Sequence, residues 1–176
     1  MSITRSLYIL LAMALILSGC QTVEPIRTNT SNNAEGGVQE LIINSRVSLP
    51  APIGYDKVWL IKSSVIVSKA GSSVVYRWID KEEMEFIGSK KTPYNFFKSA
   101  LNNPETVEEK GFLEGLDSKV NRMAASDESL EIYSFDHGEG QQIYILSDTL
   151  DFVVEITSKG YVSEYFENLI KYSYTR

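Results

Sequence analysis

The chain is almost without cysteine and histidine. Its 176 residues contain one of each, Cys20 and His137. A single thiol excludes an internal disulfide, so the fold must be stabilised by its core. A zinc site takes three or four nitrogen, sulfur or carboxylate ligands, and one imidazole supplies too few of them. We therefore expect no metal and no other cofactor, and we interpret His137 as part of a solvated, glycine-rich hairpin loop over residues 136–140.

Positive charge is also scarce. The chain has 17 Lys and Arg residues against 23 Asp and Glu residues, which gives a formal net charge of −6. The sequence pI is near 4.9, and no block of basic residues is present. This composition argues against nucleic acid as a partner.

The usual enzyme motifs are missing as well. The sequence contains no Gly-x-Ser-x-Gly elbow, no Ser-x-x-Lys pair and no Gly-x-x-x-x-Gly-Lys phosphate loop. Adjacent carboxylates do occur, in polar stretches that are typical of solvated surface: Glu82–Glu83, Glu108–Glu109 and Asp127–Glu128. An enzyme that acts through two carboxylates across a cleft remains an alternative, because such a pair needs no local motif.

The first nineteen residues are arranged like a secretory signal. Arg5 provides the positive charge, and an apolar run extends from Leu7 to Leu17. A membrane-spanning helix needs about 20 apolar residues, so this run is too short to remain in a bilayer. Two small residues, Ser18 and Gly19, then precede Cys20.

The tetrapeptide Leu17-Ser18-Gly19-Cys20 resembles the lipobox of bacterial lipoproteins. The resemblance covers residues 1–21 only. It implies that the Cys20 thiol carries a diacylglycerol, that residues 1–19 are cut off as a signal peptide, and that the new α-amine is often acylated. Several fatty acyl chains hold a protein on a membrane stably, whereas a single chain does so only marginally.

The same resemblance implies a location in a bacterial cell envelope. Gln21 follows the cysteine, and an Asp at that place is associated with retention in the inner membrane. A periplasm-facing outer-membrane anchor is therefore the prediction for a Gram-negative chain. Residues 20–37 are predicted to form a polar tether, because Thr28–Gly37 has a single apolar residue and cannot offset its ordering entropy. As a flexible coil it would reach about 20–25 Å.

Residues 38–176 are predicted to form one globular domain. Apolar residues make up 43% of the chain, which is enough for one core. Strand patterns dominate its first half and return in its last third. Residues 38–44 and 47–49 are either an opening strand pair or one strand and a connector. Further strands are predicted at residues 57–62, 65–68, 74–79, 84–87, 130–135, 142–146 and 152–157, with a hairpin turn at 69–72.

Helices are predicted in the middle and at the end of the domain. Thr92 and Pro93 are typical of an N-cap and a first helical residue, and the Asn-Asn-Pro sequence at 102–104 would end that helix. A second helix is expected from Phe112 to Ala125 and a third from about Val162 to Tyr172. The order of elements predicts an α+β fold, a single small domain with a mainly antiparallel sheet packed against two or three helices.

The strands on either side of His137 carry large apolar side chains on both faces. Tyr133 and Phe135 lie on one face of the first strand, and Tyr144 lies on one face of the second. An antiparallel sheet with one wet face should instead alternate apolar with polar residues. Either helices cover this second face, or Tyr133, Phe135 and Tyr144 form an exposed patch that binds a partner.

Three classes of function remain. The first is a non-catalytic, membrane-anchored envelope lipoprotein whose domain binds another protein in an assembly, accessory or structural role. The second is an immunity protein that neutralises a toxin delivered into the periplasm, since an acidic surface steers binding to a cationic enzyme. The third is an envelope enzyme that acts on peptidoglycan or lipid. The missing catalytic motifs and the modest size favour the first.

Overall fold

A computed structural model describes residues 39–51, 54–116, 119–137, 140–160, 170 and 172–176. These residues form ten strands, three helices and two sheets. The strands are β1 (Gln39–Ile43), β2 (Val47–Ala51), β3 (Lys57–Ile61), β4 (Ser64–Lys69), β5 (Ser72–Ile79), β6 (Asn121–Met123), β7 (Glu131–His137), β8 (Gly140–Leu146), β9 (Val153–Lys159) and β10 (Tyr174–Thr175). The helices are α1 (Lys81–Phe86), α2 (Pro93–Asn102) and α3 (Val107–Gly115). The predicted α+β class is confirmed.

The larger sheet has seven strands in the order β3-β4-β5-β9-β8-β7-β6, and every neighbouring pair is antiparallel. The smaller sheet has the order β1-β2-β10 and is also antiparallel. Within the seven-stranded sheet, β3, β4 and β5 are consecutive along the chain, and so are β6, β7, β8 and β9, with short connections between them. The exception is the pairing of β5 with β9, which brings together segments separated by all three helices and three strands.

The two faces of the seven-stranded sheet have different neighbours. One face, here called the sheet face, packs against β1 and β2 through aliphatic side chains that include Val74, Ile143 and Ile156. The opposite face, here called the helix face, packs against Met84 of α1 and against the apolar side of α2. The domain therefore has three layers, with the large sheet in the middle.

Local sequence explains several of the turns. Ala70 and Gly71 both have positive φ, +47° and +87°, as the tight turn between β4 and β5 requires. Asn44 and Ser45 have positive φ between β1 and β2 for the same reason. The turn at residues 69–72 was predicted, whereas residues 38–49 form the strand pair that was one of two alternatives, with Asn44 in its turn and not in the strand.

The helix predicted after Thr92 is confirmed. The Thr92 hydroxyl accepts a hydrogen bond from the Asn95 amide at 3.3 Å, and Pro93 is the first helical residue. The helix ends at Asn102, where the sequence predicted its end.

Two other predictions for this middle region are wrong. Residues 84–87 were expected to be a strand, but Lys81–Phe86 is a helix because the Asp80 carboxylate caps the amides of Glu82 and Glu83. The second helix was expected at 112–125, but it covers Val107–Gly115, and Asn121–Met123 is strand β6. Its start is a capping box that sequence reasoning missed, in which Thr106 and Glu109 satisfy each other's backbone amides.

The predicted C-terminal helix lies mostly outside the described residues, because 161–169 and 171 are not among them. Within that stretch Ile170 is helical and buried in the core between the two sheets. Of the described residues, no helix is long and apolar enough to cross a membrane.

Candidate protein-binding surface

The aromatic patch predicted at Tyr133, Phe135 and Tyr144 is not an exposed surface. The three side chains are 2%, 1% and 2% exposed, and they belong to the core beneath the helices. Of the two alternatives left by the sequence, the covered face is the one that the structure shows. The prediction that these residues bind a partner is wrong, because a buried ring offers no area to another molecule.

The helices cover this part of the sheet with aromatic rings. The Phe97 ring of α2 and the Phe112 ring of α3 lie 5.1 and 5.5 Å from the ring of Tyr144, centroid to centroid. The Phe97 and Phe112 rings also meet edge to face at 5.1 Å. Aromatic pairs in this geometry contribute about 0.5–1.5 kcal/mol each beyond their burial. Helices α2 and α3 therefore cover this part of the sheet as one packed aromatic cluster, here called the helix cover.

The helix cover stops at a polar boundary on β5 and β9. Glu155 accepts hydrogen bonds from the Tyr144 hydroxyl at 2.8 Å and from Arg77 Nη1 at 3.1 Å. Arg77 also bonds Glu83 of α1. Burial opposes the charged guanidinium, yet Glu155 and Glu83 raise the pKa of Arg77. Burial and then Glu155 raise the pKa of Tyr144, so its hydroxyl stays a donor.

Beyond this boundary, three apolar residues on the helix face of β3, β4 and β5 belong to neither core cluster of the described residues, namely Trp59, Ile66 and Val75. The strand registers place Trp59 opposite Ile66 and Ile66 opposite Val75, which makes one apolar row across three strands. Ile66 and Val75 are half-buried, whereas the neighbouring residues on the sheet face of the same strands, Val65 and Val74, are buried. This row is apolar surface that the described part of the chain leaves open.

Strand β3 is the outermost strand of the row and is exposed along its whole length. Val58, Trp59, Leu60 and Ile61 are 39%, 43%, 37% and 39% exposed. The alternation of a strand puts Trp59 and Ile61 on the helix face and Val58 and Leu60 on the sheet face. Among the described strands only β4 pairs with β3, so no described strand is hydrogen-bonded to the N–H and C=O groups along its other edge. We call these four side chains and this edge the β3 surface.

The β3 surface lacks the features that usually protect an edge strand. Proteins blunt their edges with short strands, prolines, bulges or charges, because a long apolar edge pairs with other chains. The opposite edge of the same sheet follows this rule, since β6 has three residues and includes Arg122. In β3 the only charged residue is Lys57 at its start. Four consecutive exposed apolar residues are therefore an unprotected edge.

One carboxylate of each pair singled out in the sequence has a structural partner, namely Glu83, Glu109 and Asp127. Glu83 bonds Arg77, and Asp127 accepts hydrogen bonds from the amide and the hydroxyl of Thr175 at 2.7 and 2.9 Å. The pKa of Asp127 is lowered to about 2, mainly by its hydrogen bond from Ser129 and against the effect of burial. A general acid needs a raised pKa near the working pH. These hydrogen bonds therefore stabilise the fold, and the lowered pKa of Asp127 does not suit a general acid.

One surface depression, of about 740 Å³, lies between α1, the start of α2 and the turn after β8. Four cationic side chains line it, Arg46, Lys81, Lys90 and Lys91. Three of the four already contact carboxylates: Arg46 with Asp151 at 2.8 Å, Lys81 with Glu85 at 3.6 Å and Lys91 with Glu109 at 2.7 Å. With three of its four cations already paired, it offers few convergent polar groups to orient a small ligand.

The remaining candidate residues lie at the end of a described segment or outside the described residues. His137 ends β7 opposite Gly140, and its side chain and residues 138–139 are outside the described residues, so the solvated loop stays a prediction. The described residues contain no group of three His, Cys, Asp or Glu side chains placed to hold a metal ion. Residues 17–20 are also outside the described residues. No protein-family model, no curated protein and no solved structure matches this chain.

Proposed function

We propose that this chain is a lipid-anchored envelope protein without catalytic activity, and that its domain binds protein by accepting an added strand at β3. The observation that carries the proposal is the β3 surface, an edge strand with apolar side chains exposed on both faces. Strand addition satisfies the unpaired backbone groups of such an edge and buries its side chains at the same time.

A protein strand fits this edge better than a lipid bilayer does. Trp, Leu and Ile side chains favour the membrane interface as well, but the hydrocarbon region cannot satisfy the backbone groups of an open sheet edge. A strand from a protein supplies those hydrogen bonds in register. Burying the exposed two-fifths of Trp59 alone would remove on the order of 100 Å² from water, or about 2–3 kcal/mol.

The anchor is supported by sequence alone. Cys20 follows Leu17-Ser18-Gly19, and eighteen residues of chain, 21–38, separate it from the start of β1. Fatty acyl chains on Cys20 would keep the domain near one membrane surface. The partner would therefore have to be met within the length of that tether.

A site-specific crosslink tests the binding surface. A photo-reactive phenylalanine analogue replaces Trp59 in the full chain, expressed with its own signal in a bacterial envelope. The matched control carries the same analogue at Val107, which is 82% exposed on α3. We expect protein adducts from position 59 and none from position 107.

A second variant decides whether those adducts require the apolar edge. Leu60→Lys places a charge in the middle of the β3 surface, and it should remove the adducts from position 59 because a buried unpaired charge is costly. Mass spectrometry of the adduct shows whether the crosslinked segment is a continuous stretch of protein. Equal yields from positions 59 and 107, or adducts that survive Leu60→Lys, would show that β3 is not the binding site.

A further inference from the structure

We infer that the strand added to β3 is β3 of a second copy of this chain, so that two sheets join across a two-fold axis at Trp59. This inference rests on the proposed function of β3 as the binding strand. A two-fold contact needs a surface that is complementary to itself, because the same patch lies on both sides. The β3 surface meets that condition in three ways. Its side chains can pair with themselves, its end charges are complementary, and its apolar row continues across the axis.

The side chains of β3 are self-complementary in one register. An antiparallel pair centred on Trp59 places Val58 opposite Leu60 of the second copy and Lys57 opposite Ile61, while Trp59 lies opposite its own counterpart. All five residues of the strand are then paired. A register centred on Leu60 would instead place Val58 opposite Lys62, and a register centred on Val58 would leave Ile61 beyond the strand of the second copy.

The charges at the two ends fit the same register. Asp56 precedes β3 and Lys62 follows it, so each would lie opposite the other across the interface, once at each end. Within its own chain, neither side chain forms an ion pair with another described residue. Asp56 Oδ2 accepts a hydrogen bond from the Ala70 amide at 3.0 Å, which leaves Oδ1 for the second copy. Opposite charges across an interface fix the register of pairing.

The apolar row also continues across the axis. A two-fold axis perpendicular to the sheet keeps each face on the same side, so the open row of Trp59, Ile66 and Val75 would meet the same row of the second copy. The joined sheets would have no exposed β3 edge, which removes the feature that most invites unspecific pairing. A five-residue strand makes a small interface, and confinement to one membrane surface raises the effective concentration at which the two copies meet.

Engineered cysteines in the full chain test this register. Trp59→Cys places two thiols opposite each other at the axis, at a separation that a disulfide can bridge. Lys57→Cys is the matched control on the same strand and face, because its counterpart would lie four residues away along the strand, at about 13 Å. The chain with Cys20 as its only cysteine is the background. After mild oxidation of intact envelopes, we expect a disulfide-linked dimer from Trp59→Cys and none from Lys57→Cys or the background.

Charge reversal supplies a second, independent measurement. In the Trp59→Cys chain, Lys62→Asp places two carboxylates opposite each other at both ends and should lower the dimer yield about tenfold, since two attractive contacts become repulsive. Adding Asp56→Lys restores opposite charges and should restore the yield. Equal yields from Trp59→Cys and Lys57→Cys, no dimer at all, or no recovery in the double reversal would overturn the inference.

The two proposals fail in different ways. Position-59 adducts that contain only another protein, and never this chain, would overturn the second copy and leave β3 as a binding strand. The absence of any position-59 adduct, with this chain or another, would overturn the proposed function itself.

Discussion

Besides Phe112, one buried carboxylate fastens helix α3 to the domain, and replacing that carboxylate should loosen the packing of the helix. Glu109 is fully buried, and its Oε1 accepts a hydrogen bond from Lys91 Nζ at 2.7 Å. Its Oε2 accepts hydrogen bonds from the backbone amides of Glu105 and Thr106 at 2.8 and 3.0 Å. The carboxylate therefore closes the capping box of α3 and joins α3 to the segment before α2.

Glu109→Gln keeps the shape of the side chain and removes its charge. An amide has one acceptor oxygen, so either the Lys91 ammonium or the two backbone amides would face an NH₂ group. Hydrogen bonds that involve a charged group contribute about 1.5–3 kcal/mol, and an unsatisfied buried donor costs about 1–3 kcal/mol. We expect the free energy of unfolding to fall by about 2–3 kcal/mol at pH 7.

The effect should depend on pH in a definite direction. Burial opposes the ionised form, but hydrogen bonds from Lys91 and from the Thr106 and Glu105 amides hold the pKa of Glu109 at about 2, below its ordinary value of 4.5. A depressed pKa means that the unfolded chain takes up the proton first, so this stabilisation is present above pH 4.5 and is lost as the pH falls toward 2. The difference between the parent chain and Glu109→Gln should therefore shrink over that range.

Urea unfolding followed by tryptophan fluorescence measures both quantities. Glu108→Gln is the matched control, because Glu108 is exposed in the same helical turn and its replacement should change stability by no more than about 0.5 kcal/mol. The reasoning would be refuted by a Glu109→Gln chain as stable as the Glu108→Gln chain at pH 7. It would also be refuted by a stability difference that stays constant from pH 7 to pH 3.

Two further predictions concern backbone and anchor. Gly140→Ala should destabilise the domain strongly, because the new Cβ would lie 1.7 Å from the Ser158 carbonyl oxygen. Gly111→Ala in α3 should instead stabilise the domain by about 0.5–1 kcal/mol, because its new Cβ would meet nothing within 4 Å. Thermal unfolding of the two variants checks these opposite signs, and two changes of the same sign would contradict them. Cys20→Ser should release the chain from membranes, because it removes the site of acylation; a variant that still sediments with salt-washed membranes would disprove the lipid anchor.

Local signals predicted some elements well. Thr92 and Pro93 mark the start of α2 because a cap and a proline act within one turn of the chain, and the hairpin at Ala70–Gly71 follows from turn chemistry in the same way. The prediction for residues 84–87 was wrong, because a four-residue stretch with three apolar residues suits a strand or a helix equally well. The Asp80 cap, which the structure shows, was the signal that could have decided it.

The binding surface was the hardest feature to predict. Val58–Ile61 is a continuous apolar run, and such runs are typical of strands buried on both faces. Tyr133, Phe135 and Tyr144 were the predicted contact residues, yet α2 and α3 cover them, while the open edge lies at β3. Composition cannot distinguish the exposed strand β3 from the buried strands β7 and β8, because the exposure of a strand depends on which segments pack over it.

The sequence by itself predicted a targeting signal, and it determined the α+β class and the turns and caps that act over a few residues. Only the tertiary structure decided which apolar strands are buried. The pairing of β5 with β9 leaves β3 at one end of the sheet, while β7 and β8 lie inside the sheet beneath the helices. That pairing joins residues about 80 positions apart, such as Arg77 and Glu155, so no local pattern encodes it, and the exposed edge is a consequence of the whole fold.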